Sequence, residues 1–394
     1  MLEELQSYQQ NYLNNLTFKY KRYLHKEVDF SNKLIGIIGA RGVGKTTFLL
    51  QYFKELELPI TKKLYFSADA LDIFSIFDIA YEFHKTGGKV LIIDEIHKVN
   101  NFEKDLKKIY DMLDLKVIFS GSSALKLDNS KADLSRRALM YHMKGLSFKE
   151  FIEISKDIVL PNFILEDIVQ NHIEISHEIL SKVKVYEYWS EYLKYGFYPF
   201  YFEDKNNYPI RLQETINTVI EVDIPFIFKI EYDKIINLKK LVRLVCQSKP
   251  FKINIKELAS KIGTTDYQTL YKYLEYLRRG KILNIIKTKS KGDIIFSKPD
   301  KLYLSNTNLH FAYCQNSEIG TIREVFFASQ LNSYSLSSSK KGDFLVNDKY
   351  LFEIGGKNKT FKQIKDIKNS FVVKDDIEVG FKNSVPLWLF GFLY

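Results

Sequence analysis

Residues 34–47 read Leu-Ile-Gly-Ile-Ile-Gly-Ala-Arg-Gly-Val-Gly-Lys-Thr-Thr. A short apolar run ends in the spacing G-x-x-x-x-G-K-T, with Gly39, Gly44, Lys45 and Thr46 at the fixed places. A helical pattern without a breaker follows through Thr47-Phe48-Leu49-Leu50. Strand, loop and helix thus come in the order a phosphate-binding loop demands. Glycines let consecutive backbone N–H groups curl around phosphate oxygens, and the helix adds its positive end. Gly39, Ala40, Arg41, Gly42, Val43, Gly44, Lys45, Thr46 and Thr47 are therefore the expected nucleotide-binding residues. Lys45 is placed to reach the β- and γ-phosphates, and the Thr46 hydroxyl to ligate Mg²⁺.

About fifty residues on, Lys89-Val90-Leu91-Ile92-Ile93-Asp94-Glu95 is a second apolar strand, ending in two carboxylates. Asp94 is expected to hold the metal shell beside Thr46, and Glu95 to polarise the attacking water as general base. An acidic pair at a strand end means little by itself. Downstream of a phosphate loop it points to nucleoside-triphosphate hydrolysis.

Further strand-like runs lie at 63–67, 115–120 and 139–143, separated by helical patterns at 71–85 and 102–113. Alternation of this kind predicts a parallel sheet with helices on both faces, the ligand lying at the carboxyl ends of the strands. The run 115–120 ends in Ser120-Gly121-Ser122, so Ser120, with Ser122 next, is a candidate to touch the γ-phosphate or the water. Arg137, before the strand at 139–143, is a candidate arginine finger, acting in its own subunit or a neighbour's. Residues 1–30 read as a helix packed on this core.

The bulk numbers set outer limits. A chain of 394 residues is expected to hold two to four domains. Thirty Phe and 26 Tyr supply ample core. Lys and Arg number 58 against 48 acids, a net +10 that permits nucleic-acid contact without establishing it. No apolar stretch reaches the length of a membrane span, and the start lacks a signal-peptide core, so no membrane partner is expected. The two cysteines, Cys246 and Cys314, stand far apart without partners at metal spacing. A reducing cytoplasm and a chain without zinc are the expectation.

Beyond residue 150 the composition changes. Residues 151–235 read as an aromatic helical lid or bridge. Residues 236–305 read as a winged helix-turn-helix: a short helix to Ile262, a turn at Gly263, a longer basic helix, then strands at 282–287 and 293–297 joined through Lys289–Gly292. Tyr267, Gln268, Lys272, Tyr273 and Arg279 are the candidate contacts to duplex DNA. In residues 306–394, Glu324, Asp343, Glu353 and Lys357 are a candidate metal-dependent phosphodiester-cleaving site. The usual lysine two residues after the glutamate is here Gly355, so Lys357 or Lys359 would have to swing in, or the site is dead.

With these residues in view the chain resembles the bacterial and archaeal AAA-type ATPases that carry a C-terminal domain of unknown function, the AAA_14 plus DUF4143 group. The resemblance rests on GARGVGKTT, LIIDEIHKVNNFEKDLKKIYD, VIFSGSSALKL, LSRRALMYHMKGLSFKEF, YGFYPF and GDF with FEIGGKNKTFKQIK. It departs at Phe102, where tryptophan is usual, and at Arg136, where glycine is usual. It implies an α/β ATPase of 1–150 with an additional-strand parallel sheet, then the lid, the winged helix and a small α/β domain similar to restriction endonucleases, inactive or degenerate. It implies ATP and Mg²⁺ as cofactors, and no guanine-reading motif is evident. The function expected is an ATP-driven switch or motor, with DNA, a second copy or a protein as partner. The alternatives are an ATP-regulated nuclease and a nucleotide-dependent DNA-binding regulator.

Overall fold

The computed structural model describes residues 2–14, 16, 20–70, 75–122, 124, 134, 136–247, 254–264, 266–288, 299–314 and 318–394. The start of the 71–85 pattern, the loop at 289–292 and the second expected wing strand, 293–297, lie outside them. The chain forms two compact units, Met1–Lys144 and Gly145–Tyr394.

The first unit is built on five strands: β1 (Leu34–Gly39), β2 (Lys63–Ser67), β3 (Val90–Asp94), β4 (Lys116–Ser122) and β5 (Leu139–Met143). Their order is β2-β3-β4-β1-β5 and every pairing is parallel. The inner strands are apolar through their middles because helices α3 (Lys45–Glu55), α4 (Ile76–Lys85) and α5 (Phe102–Met112) cover the sheet. Strand β4 enters between β1 and β3, and this insertion separates the phosphate loop from the acidic pair by one strand.

Residues 1–30 are not one helix. Helix α1 (Leu2–Asn14) and a single turn, α2 (Leu24–Glu27), serve different edges of the sheet. Against edge strand β2, the buried Gln9 accepts a hydrogen bond from the Tyr65 N–H at 2.8 Å. An edge strand leaves every second N–H unpaired, and this contact satisfies one of them. Along β5, the Tyr23 hydroxyl donates to the His142 carbonyl, and the Tyr141 hydroxyl accepts from the Asp29 N–H.

The second unit interleaves what the sequence suggested were separate domains. The Tyr186–Tyr195 helix of the expected bridge presents Trp189 edge-on to Phe326, ring centres 4.7 Å apart, and the Trp189 indole donates to Asp375. The C-terminal turn packs Phe392 against Phe148, and the Ser147 hydroxyl donates to the Tyr394 carbonyl. Helices Ile255–Ile262 and Tyr267–Arg279, joined through Gly263 at φ 79°, are followed by β6 (Leu283–Ile286), which pairs antiparallel with β7 (Lys301–Leu304). The terminal sheet runs β12-β11-β10-β9-β8: β8 (Leu336–Ser338), β9 (Phe344–Val346) and β10 (Tyr350–Gly355) form an antiparallel meander, and β11 (Ser370–Lys374) and β12 (Ser384–Pro386) continue parallel to β10.

One feature overturns a sequence expectation. Cys246 and Cys314 are bonded to each other, Cα atoms 5.2 Å apart, because the Tyr232–Gln247 and Thr307–Tyr313 helices pack together. Spacing along the chain hid a pairing made by tertiary packing, and the argument for a reducing compartment loses its premise. No helix of the described residues is long and apolar enough to cross a membrane.

Asn308 is the polar keystone of the second unit. Fully buried, it donates to the Tyr192 and Leu193 carbonyls and accepts from the Phe197 N–H and the Tyr208 hydroxyl. Asn308→Leu keeps the volume and strands four buried partners, each worth roughly 1–3 kcal/mol when left unpaired. The expected result is a drop in urea midpoint of the Gly145–Tyr394 transition equivalent to at least ~3 kcal/mol, read by tryptophan fluorescence, since Trp189 and Trp388 both lie in that unit.

Candidate active site

The phosphate loop runs from the end of β1 into α3 as its glycines require. Gly42 (φ 81°) and Gly44 (φ 97°) hold the left-handed conformation that side chains resist, which turns the loop back over the helix N-terminus. The Lys45 ammonium, nearly buried, donates to the Gly39 and Ala40 carbonyls at 3.2 and 3.1 Å. It therefore lies across the mouth of the loop that it would share with a phosphate.

The carboxylate of Asp94, 2% exposed at the tip of β3, gathers its neighbours. The Thr46 hydroxyl donates to Oδ2 at 2.5 Å, and the Tyr65 hydroxyl donates to the same oxygen at 3.1 Å. The Ser120 hydroxyl, at the tip of β4, donates to Oδ1, as does the Glu95 N–H at 3.1 Å. Glu95 stands just past the strand at φ 52°, a twist that turns its side chain away from the β3 line. The Glu95 carboxylate then meets His97 Nδ1 at 3.4 Å, and the same ring nitrogen faces the Ser122 N–H at 3.4 Å.

Of the residues singled out from sequence, Lys45, Thr46, Asp94, Glu95 and Ser120 come together here. Arg137 does not. It precedes β5, whose Leu139 is in register with Ile35, so Arg137 lies about six residues, roughly 20 Å, from the Gly39 end of the sheet. There it makes a two-pronged ion pair with Asp111 at 2.9 and 3.0 Å. The in-subunit finger is thus corrected: a parallel strand puts the residue before it at the end remote from the loop.

Three contributors escaped the sequence reading. Tyr65 sits mid-strand in an apolar run and read as core. Its hydroxyl is held protonated far beyond the ordinary range, first by burial and then by the Asp94 charge. Arg22, buried in the N-terminal segment, donates to the Val43 carbonyl of the loop at 2.8 Å and to the Lys144 carbonyl at 2.9 Å. His97, three residues after Asp94, was read only as part of a motif.

On the Tyr267–Arg279 helix, Tyr267, Gln268 and Lys272 are exposed. Tyr273 is buried with Leu270, Leu274 and Leu277, because that stripe at helical spacing is the face packed inward. Arg279 is engaged by Glu275 at 2.9 Å. Neither Tyr273 nor Arg279 is presented as the DNA contact the sequence suggested.

In the terminal sheet Glu324, Asp343 and Glu353 are buried near one another, and Lys357 is exposed. The lysine on Glu353 is Lys359, at 2.5 Å. Its stem lies over Gly355, where an added Cβ would come within 2.7 Å of it, so Lys359 fills the space the missing side chain would occupy. Among the described residues no three His, Cys, Asp or Glu side chains are arranged to hold a metal ion.

Residues 31–152 match the model of an AAA domain, AAA_14, and carry the P-loop ATPase fold. Residues 186–317 match DUF8612, a domain of unknown function other than the DUF4143 that the sequence resemblance implied. The chain is 27% identical over 292 residues to the uncharacterized protein MJ1637 of Methanocaldococcus jannaschii, covering 71% of this chain and 58% of that one. It therefore spans less than two thirds of that relative's length. It is 23% identical over 388 residues to MJ1544 of the same organism, covering 92% and 82%. Among solved structures it is similar to the Walker-type ATPase PABY2304 of Pyrococcus abyssi, with a TM-score of 0.40 at 12% identity, covering 79% of this chain and 95% of that one.

Tyr65→Phe removes one of four donors to Asp94 and leaves the fold's apolar contacts in place. Mg²⁺-dependent ATP hydrolysis should fall about 10- to 150-fold, the worth of one hydrogen bond to a charged group. Mg²⁺-free nucleotide binding, followed with a fluorescent ATP analogue, should stay within about twofold; an equal loss of both would place Tyr65 in the fold rather than in the site.

Proposed function

We propose that the chain is an ATP-hydrolysing switch whose catalytic centre is the cluster around Asp94. The observation that carries this reading is the Asp94 carboxylate taking the hydroxyls of Thr46 and Ser120 at the open end of a parallel sheet, beside a glycine-turned phosphate loop. Hydroxyl and carboxylate oxygens are the hard donors that Mg²⁺ prefers, and Thr46 and Asp94 already stand together. The residues present therefore fit Mg²⁺, which Thr46 and Asp94 would hold and which would supply positive charge against that developing on the phosphates.

The chain's own groups do the rest. Loop amides from Gly42 to Thr46 and the Lys45 ammonium hold the phosphate tail, Lys45 exchanging its two carbonyl partners for phosphate oxygens. Glu95 accepts a proton from a water whose oxygen attacks the γ-phosphorus, and the β–γ bridging oxygen leaves with ADP. His97 Nδ1 lies 3.4 Å from the Glu95 carboxylate, and Ser120 ties the Glu95 amide to the metal-side acid at 3.1 Å. Because γ-phosphate contacts exist only before hydrolysis, the bound and spent states differ at these residues, which is what a switch requires.

The DNA-associated form of this reading draws on the helix beginning Tyr267-Gln268, where Lys272 is also exposed. The ATP-regulated nuclease is not carried further, since the terminal carboxylates are engaged by lysines.

Purified protein should hydrolyse ATP in Mg²⁺. Lys45→Ala should lose both binding and turnover, and Glu95→Gln should keep ATP binding while turnover drops about 10²- to 10⁴-fold. Unchanged turnover in Glu95→Gln would sink the assignment of the base. Duplex DNA should raise wild-type turnover, and Lys272→Ala should blunt that response without altering basal turnover; no response to DNA would remove DNA from the reading and leave the ATPase intact.

A further inference from the structure

Residues 356–369 cross from the end of β10 to the start of β11, two strands that pair in parallel. The crossover holds a single 3₁₀ turn, Phe361–Gln363. Between 357 and 369 the sequence carries five lysines against one acid, Asp366. Lys359 is committed to Glu353. The other four, Lys357, Lys362, Lys365 and Lys368, are exposed.

A three-residue repeat gives this segment two sides. The Ile364 N–H donates to the Phe361 carbonyl and the Ile367 N–H to the Ile364 carbonyl, both at 3.3 Å, so each turn closes after three residues. Ile364 is fully buried with Leu351 of β10 and Val372 of β11, and Phe361 and Ile367 pack against the same cluster. The buried Ser370 hydroxyl donates to the Ile367 carbonyl at 2.6 Å, which pins the last turn to the sheet. With 361, 364 and 367 turned inward, the residue after each lies on the outer side, and those residues are Lys362, Lys365 and Lys368. The apolar stripe thus fixes a row of ammonium groups facing solvent.

Exposed lysines on the helices of this unit are matched with acids one turn away, as Lys182 is with Glu178 and Lys261 with Glu257. Lys362, Lys365 and Lys368 make no ion pair among the described residues. Their positive potential is therefore kept for a partner. Successive members stand between roughly 6 Å apart, the rise of one 3₁₀ turn, and roughly 10 Å, that of extended chain. Even the shorter figure makes a row of roughly 12 Å, a length over which duplex DNA carries about seven phosphate charges. Lysine is a point charge on a flexible stem, so the row needs no fixed register with those phosphates. A bilayer surface would draw on apolar side chains inserted beside the charges, and the apolar residues of this segment face the sheet instead.

We propose that Lys362, Lys365 and Lys368 form a contact surface for the phosphate backbone of duplex DNA, engaged by charge and not by base sequence. The surface is separate from the exposed start of the Tyr267–Arg279 helix, and it requires neither that contact nor ATP turnover.

The test is fluorescence anisotropy of the nucleotide-free full chain with a labelled DNA duplex of about 20 base pairs, between about 50 and 200 mM KCl. Each phosphate contact contributes about 0.9 to the slope of log affinity against log salt. Lys362→Gln, Lys365→Gln and Lys368→Gln combined should flatten that slope by about 2.7 and weaken binding at the lowest salt at least about tenfold, equally for a duplex of unrelated sequence. Lys362→Arg, Lys365→Arg and Lys368→Arg combined should keep the wild-type slope. Lys182→Gln, Lys184→Gln and Lys205→Gln combined, which removes the same net charge elsewhere on the unit, should change it by less than about 1. A wild type that does not bind the duplex, a slope unmoved by the first triple variant, or an equal effect of the distant triple variant would overturn the surface. So would a loss of binding seen with Lys272→Ala alone, which would leave the contact on the helix, or a row needed for phosphatidylserine vesicles and not for DNA.

Discussion

A single buried carboxylate sets the geometry of the first unit. Asp94 is almost closed to solvent, and an ionised group so placed must be met by donors or give up its charge. Its donors arrive from four places: Thr46 on the helix after the loop, Tyr65 on β2, Ser120 on β4 and the amide of Glu95. They converge because β3 has β2 on one side and β4 on the other, with β1 next beyond β4. Tyr65 is in register with Ile92, and Ser120 lies one residue past the Ile93–Phe119 pair. Slipping either neighbour by one residue would turn its hydroxyl to the opposite face of the sheet. The site is thus a consequence of strand order and register before it is a consequence of any loop.

The N-terminal segment serves the same geometry from outside. A five-stranded open sheet has two edges, and each carries unpaired backbone groups close to functional residues. At one edge Gln9 takes the N–H of Tyr65, the residue whose hydroxyl reaches Asp94, and Tyr12 packs edge-on against the Tyr65 ring at 5.4 Å. Near the other edge, Arg22 ties the phosphate loop at Val43 to Lys144 at the end of β5. Guanidinium geometry suits this role, since its planar fork reaches two carbonyls at once with little further loss of freedom. The segment before the first strand is therefore part of the site's support.

What could be read from sequence divides along a physical line. The apolar run 63–67 is fully buried and was legible to the residue, 139–143 was legible although largely exposed at the sheet edge, and the loop and acidic pair followed from chemistry that fixes residue type and spacing. Contacts made across the sheet or between distant segments leave no such trace. Tyr65 looks like any core aromatic, Arg22 like any surface cation, and the Cys246–Cys314 bond joins residues 68 apart. Tyr273 is a different kind of miss. The stripe Leu270, Tyr273, Leu274 and Leu277 has helical periodicity, so its burial was present in the sequence and was set aside in favour of a motif. Arg137 is similar, because the parallel order already implied that a residue preceding β5 lies at the far end from the loop.

The two carboxylate clusters show how donor charge, rather than burial, separates a site from a scaffold. Asp94 and the Glu324–Asp343–Glu353 group are all nearly sealed from water. Around Asp94 the hydroxyls of Thr46, Tyr65 and Ser120 and one backbone amide are neutral donors, which solvate the carboxylate without cancelling its charge. Such a group keeps an attraction for a cation brought in by a ligand. Around Glu324, Asp343 and Glu353 the donors include the ammonium groups of Lys301 and Lys359, and the charge is largely met from within. Pairing of that kind is costly in desolvation and repaid only when geometry is tight, so it resists exchange for anything arriving from solvent. Gly355 shows the arrangement is accommodated by the backbone: with no side chain at that position, the stem of Lys359 lies across it and delivers the second ammonium to Glu353. The first cluster is built to receive a cation and the second to supply its own, a difference written in which donors are neutral and which are charged.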